Sequence, residues 1–327
     1  MLTQLVTVHG VKTQEPDHFD MMTSEIAKSL GFYATPDTFK VICANGVPCP
    51  NDPDANNWPG TVKITRFKSV SGKSLIIYNV YWSSITNPPK RWLDTISIRN
   101  EPEISVIPRL VKDVLVTDGL SDIELSFKNF HPQIMDLLKT AFNEMEDDFQ
   151  KSDSTSGYPN AYYMTGSLGT RLLLDYLNQN EKGKTEAVVN RTKTWFMLTN
   201  QLIITALKDV PLRAGKITYE DYFKRSFGPT NAYMEQMLEM KKFEVVAFND
   251  PNDIMSFVVP DDRMGIVNGN KIHNNYINIA QGVQVHMNQL IKIAWRADKT
   301  LQKFHRRKYK EAIENFRING KRCVPDL

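Results

Sequence analysis

Residues 161–180 read AYYMTGSLGTRLLLDYLNQN, and this stretch decides the fold. Ala161 to Met164 has the apolar, aromatic character of a short buried strand. Thr165-Gly166-Ser167-Leu168-Gly169 turns the chain, and Thr170 to Asn178 continues as a helix with one apolar face. A strand, a glycine-flanked serine and a helix trace the outline of a nucleophile elbow, in which small residues two positions either side of the serine let strand and helix approach closely. The flanks here are Thr165 and Gly169, so the pattern is T-x-S-x-G where G-x-S-x-G is usual. Read alone, the segment fits equally well a plain strand-to-helix turn with Ser167 as the helix N-cap.

The order of the surrounding segments favours the elbow. Leu2 to Val8 (LTQLVTV) is apolar and β-branched and ends in His9-Gly10-Val11, ahead of a helical pattern from Phe19 to Leu30. Strand, His-Gly, loop and helix match a loop that donates backbone N–H groups to an oxyanion, although a lone His-Gly is more often a tight βα turn. Thr61 to Phe67 and Ser74 to Tyr81 alternate like two strands joined by Ser71-Gly72-Lys73. His131 to Gln150 reads as a long amphipathic helix whose apolar stripe is core. Lys193 to Thr199 and Phe243 to Phe248 read as further buried strands, with Met264 to Asn270 as one more. Alternating strands and helices predict an α/β chain with a mostly parallel central sheet, helices on both faces and reactive residues at the C-terminal strand ends.

Other stretches break this rhythm. Phe32 to Trp58 is rich in Pro, Asn, Asp and Gly and reads as a surface excursion without regular structure. One domain over 1–327 is expected, with insertions at 82–155 and 208–242. The second insertion, dense in Tyr, Phe and Met between Tyr219 and Met240, is expected to be a cap or an ordinary amphipathic helix pair. The 299–322 segment holds nine Lys or Arg and is expected to be a solvated helix face, with contact to phospholipid head groups as the alternative.

Composition excludes several classes. At 327 residues and 41% hydrophobic the chain can bury a substantial core. Its net charge of +3 is too mild to point to nucleic acid. No run reaches the roughly 18–20 apolar residues of a membrane-spanning helix. No signal peptide is apparent, and cytoplasmic location is expected, with export by a signal-less system as the alternative. The three cysteines, Cys43, Cys49 and Cys323, lack metal-ligand spacing and suit a reducing compartment, whereas a Cys43–Cys49 loop disulfide would suit an exported protein. No metal, nucleotide or other cofactor motif is present in the common forms, so no cofactor is expected.

Ser167, an acid after a later strand (Asp250 or Asp253) and His286 ahead of the last helix follow the chain order Ser, Asp, His. Together, VTVHG at 6–10, YYMTGSLGTRLL at 162–173, FNDPNDIMSFVVP at 248–260 and VHMNQLI at 285–291 resemble the lipase-like branch of the α/β-hydrolase superfamily. The resemblance implies Ser167 as nucleophile, His286 as base and Asp253 as the acid that orients it, with Asp250 in reserve. It further implies an oxyanion site built from the N–H groups of Leu168 and of Gly10 or Val11. The implied activity is hydrolysis of a carboxylic ester, expected to be lipid-like, through an acyl-enzyme. A non-catalytic binding or scaffold protein on the same fold is the alternative.

Overall fold

The computed structural model describes residues 2–11, 20–33, 38–43, 60–87, 89–90, 121–152, 160–180, 182–199, 201–202, 243–250, 256 and 272–276. Its strands are β1 (Leu2–Val8), β2 (Thr38–Cys43), β3 (Thr61–Lys68), β4 (Ser74–Tyr81), β5 (Asn160–Gly166), β6 (Thr192–Leu198), β7 (Glu244–Asn249) and β8 (Ile272–Tyr276). The helices are α1 (Asp20–Ser29), α2 (Ser121–Phe127), α3 (His131–Lys151), α4 (Leu168–Gln179) and α5 (Lys184–Arg191).

The strands form one sheet in the order β2-β3-β4-β1-β5-β6-β7-β8. From β4 to β8 every neighbouring pair is parallel, and the β2-β3-β4 end is antiparallel. All seven residues of β1 are buried, as expected of a central strand covered on both faces. Its side chains divide by parity: Leu2, Val6 and Val8 enter one core, Leu5 the other. The larger core lies under α2 to α5, and the smaller under α1, through Met22, Ile26 and Ala27. Helices therefore cover both faces.

Residues 38–43 fall in the stretch expected to lack regular structure, but TFKVIC forms β2, paired antiparallel with β3 from Thr38↔Arg66 to Cys43↔Thr61. Six residues of strand propensity are enough once β3 supplies the partner, whatever the composition around them. His273, in a polar stretch without an alternating pattern, lies in β8 opposite Val246. The expected strand at 264–270 lies outside the described residues, as do the Tyr219–Met240 segment and the basic 299–322 stretch.

Long α3 is the main helix of the larger layer, burying Ile134, Leu137, Leu138, Ala141, Phe142 and Met145. Its far end carries four carboxylates, and each meets a cation from a different part of the frame or from α5. Glu144 pairs with Lys40 of β2, Glu146 with Arg191 and Asp147 with Lys184 of α5, and Asp148 with Arg66 of β3. Asp148 also accepts from the Tyr78 hydroxyl at 2.8 Å. Burial first, and then the Asp148 charge, hold that phenol well above its ordinary range.

Tyr176 of α4 packs against Phe142, centroids 4.9 Å apart and planes tilted by 49°, and shares a 2.7 Å hydrogen bond with Thr185 of α5. Burial pushes its pKa up to about 12. Below pH 10 the phenol is protonated in both folded and unfolded chains. Between 10 and about 12 only the unfolded chain releases the proton, so stability falls as pH rises through that window, by about 2–3 kcal/mol at its end. Urea midpoints from pH 9 to pH 12 should show this fall in wild type and less of it in Tyr176→Phe.

Cys43, the last residue of β2, is disulfide-bonded. The other two cysteines, Cys49 and Cys323, lie outside the described residues. Among the described residues no helix is long and apolar enough to cross a membrane.

Candidate active site

Strand β5 runs through Gly166 and α4 begins at Leu168, so Ser167 is the whole turn. A reversal this abrupt forces Ser167 to φ 51°, ψ −123°, where a side chain is rarely tolerated. The expected five-residue turn is thus compressed to a single strained residue. Its N–H donates to Leu198 O at 2.9 Å, continuing the ladder to β6, and its O accepts from Thr170 N at 3.1 Å. The side chain makes no capping hydrogen bond, so Ser167 is not serving as an N-cap. Its Oγ is buried and has no hydrogen-bond partner among the described residues.

Space for this turn comes from two glycines. A Cβ on Gly169 would stand 2.4 Å from both Val8 O and His9 O, which means that the first turn of α4 lies directly on the end of β1. A Cβ on Gly10 would stand 2.5 Å from Ser167 Cβ and 3.1 Å from its Oγ. Gly10 and the Ser167 side chain are therefore in contact. Leu168 N–H belongs to the first helical turn, whose donors the helix cannot satisfy internally.

Thr165, the β-branched departure from the usual motif, is buried at the end of β5. Its Oγ1 accepts from Trp195 Nε1 of β6 at 2.8 Å and shares a 2.9 Å bond with Thr170 Oγ1 of α4. The hydroxyl ties β5, β6 and α4 together, which a glycine at this position could not do. Sequence reasoning missed this network, since nothing local marks Trp195 as its partner.

His9 is buried with both ring nitrogens engaged. Nδ1 lies 2.7 Å from Gly10 O, and Nε2 accepts from Trp82 N at 3.2 Å. A carbonyl can only accept and a backbone N–H can only donate, so the ring is neutral with its proton on Nδ1. Trp82 stacks on it, centroids 5.0 Å apart and planes 7° from parallel, and Trp82 Nε1 donates to His9 O at 2.9 Å. Trp82, the first residue of an expected insertion, thus packs on the loop after β1.

Asp250 follows β7 directly, is buried, and donates its N–H to Ser256 Oγ at 3.2 Å. The ladder Gly166↔Leu198↔Phe248 sets the ends of β5, β6 and β7 level, which puts Ser167 and Asp250 at the same C-terminal edge, two strands apart. Asp253 and His286 lie outside the described residues. Among the described residues no group of His, Cys, Asp or Glu is arranged to hold a metal ion.

Sheet order, antiparallel end and helices on both faces make this an α/β fold built on a mixed, mostly parallel eight-stranded sheet. No protein-family model matches the chain, and no curated protein does. Among the solved structures that resemble it at low identity are the following three. One is the esterase domain of a Rhodothermus marinus protein, at 7% identity and TM-score 0.35, covering 93% of this chain and 86% of its own. A second, assigned as a cell surface hydrolase of Lactobacillus plantarum WCFS1, has 11% identity and TM-score 0.41, covering 99% and 94%. The third is Est1E of Butyrivibrio proteoclasticus with ferulic acid bound, at 9% identity and TM-score 0.37, covering 91% and 86%. The α/β architecture is read from the strand order and pairing.

Proposed function

We propose that this chain is a serine hydrolase acting on carboxylic esters. One observation carries the reading: Ser167 is held at a left-handed φ between β5 and α4 with Gly10 packed against its side chain. Strain of this kind is costly and is kept where a reactive atom must be presented. Ser167 Oγ attacks the ester carbonyl while His286 takes its proton, and Asp253, with Asp250 as the reserve, steadies the imidazolium. The N–H groups of Leu168 and of Gly10 or Val11 receive the oxyanion. Collapse expels the alcohol, protonated by the same histidine, and water then releases the acid from the acyl-enzyme. His9, with both ring nitrogens already bonded, is not the base.

A lipid-like acyl group is part of this reading, supported by the Met and aromatic residues between Tyr219 and Met240.

The test is intact-mass detection of a fluorophosphonate adduct with the modified peptide mapped, in wild type, Ser167→Ala and His286→Ala. An adduct on Ser167 that either substitution abolishes supports the reading. A folded wild type that stays unlabelled overturns it in favour of a binding protein on the same fold.

Location follows from chemistry rather than from the chain's start. A disulfide at Cys43 persists in an oxidising compartment, which favours export over the cytoplasm. Denatured without reductant, the protein should titrate as one thiol, and with reductant as three. Three thiols in the unreduced protein would restore the cytoplasmic reading.

A further inference from the structure

We infer that Trp82 and His9 are positioning residues that aim the oxyanion donors, an inference resting on the hydrolase reading above. The argument concerns two consecutive peptide planes. In a trans peptide the C=O and the N–H point in opposite directions, so fixing one fixes the other. The 9–10 peptide has its carbonyl, His9 O, held by Trp82 Nε1 at 2.9 Å. Its N–H, that of Gly10, must then point away from the indole. The 10–11 peptide has its carbonyl, Gly10 O, held by His9 Nδ1 at 2.7 Å. Its N–H, that of Val11, is fixed in the same way.

Two donors in a loop after a strand would otherwise be free to rotate, and Gly10, lacking a side chain, would be the freest residue of all. Neutral His9 is needed for the arrangement, because Nε2 must accept from Trp82 N while Nδ1 donates. The ring stack keeps the imidazole in plane to do both. Trp82 thus holds His9 from three directions, with its backbone N–H, its indole N–H and its face. Val11 and Trp82 share the larger core, so the loop leaves β1 already anchored at its far end. None of these groups touches the reacting atoms; their effect is transmitted through where two N–H groups point.

The experiment compares wild type, Trp82→Phe, His9→Leu and His9→Asn. Active sites are counted by fluorophosphonate labelling taken to completion. Each variant is then given kcat and KM on p-nitrophenyl butyrate and an inhibition constant for an aryl trifluoromethyl ketone, which forms a tetrahedral oxyanion on serine. Trp82→Phe keeps the stacked ring and loses the indole donor. It should lower kcat per labelled site about tenfold or more, with KM within about twofold and ketone affinity falling in step with kcat. His9→Leu should lose more, and His9→Asn should recover part, because its amide N–H can still reach Gly10 O. Should Trp82→Phe not fold, the two His9 variants decide the matter by the same readouts. The inference is overturned if labelled sites in the variants keep wild-type kcat and ketone affinity, since a structural role alone would reduce only the number of sites. A labelled, active wild type with indifferent variants removes this inference alone, whereas an unlabelled wild type removes the hydrolase reading with it.

Discussion

Ser167→Ala is expected to lose ester hydrolysis by about 10⁴- to 10⁶-fold while keeping its stability. The activity loss follows from removing the nucleophile of a unit whose members act together, so that little remains beyond substrate binding and the oxyanion donors. Stability has a separate basis. Ser167 Oγ is buried and bonds to none of the described residues, so alanine breaks no contact with the described frame and leaves the backbone at Ser167 unchanged. A thermal midpoint close to wild type, together with absent turnover and absent phosphonate labelling, is the expected combination. A midpoint well below wild type would mean that the hydroxyl serves structure, and would weaken the case for a reactive serine.

The second large effect is Gly169→Ala, which should destabilise the chain by about 3 kcal/mol or more. Overpacking in a core usually costs about 1–3 kcal/mol because side chains can shift. Here the obstacles at 2.4 Å are Val8 O and His9 O, main-chain atoms of the central strand and of the loop beside Ser167. Either α4 lifts from the sheet or β1 bends, and both moves displace the Ser167 turn. Loss of labelling should therefore accompany loss of stability. Gly72→Ala is the control: its added methyl meets nothing within 4 Å, leaving only the penalty of a positive φ, about 1–2 kcal/mol. Chemical denaturation of the two variants side by side checks the contrast, and equal costs would refute the packing argument.

Strands that are continuous apolar runs or clean alternations were legible. Leu2 to Val8 and Ser74 to Tyr81 coincide with β1 and β4, and the helical pattern at 131–150 with α3. The serine turn was legible as a pattern but not in its compression, because strand propensity says nothing of how tightly a chain can reverse. What stayed hidden was whatever depends on a distant partner. Strand β2 exists because β3 pairs with it, and its neighbours in sequence suggested loop. Thr165 was read as a defect in a motif, whereas Trp195 and Thr170 make its hydroxyl a three-way tie. Trp82 looked like the start of an insertion, and only the fold brings it over His9. Nor does chain order reveal lateral order: β1 comes first among the strands yet lies between β4 and β5.

That placement has a consequence for biosynthesis. The central strand is made before either of its neighbours, and one of them, β5, begins only at Asn160. At about 5–20 residues per second the ribosome leaves β1 waiting for several seconds or more with both edges open. An unpaired strand whose seven residues are all destined for burial is the kind of segment that seeks another chain to pair with. Closing the sheet around it also requires contacts between residues far apart in sequence, which slows folding. The arrangement that brings the loop after β1 against Ser167 in the finished protein thus makes the nascent chain dependent on timely shielding of its first strand.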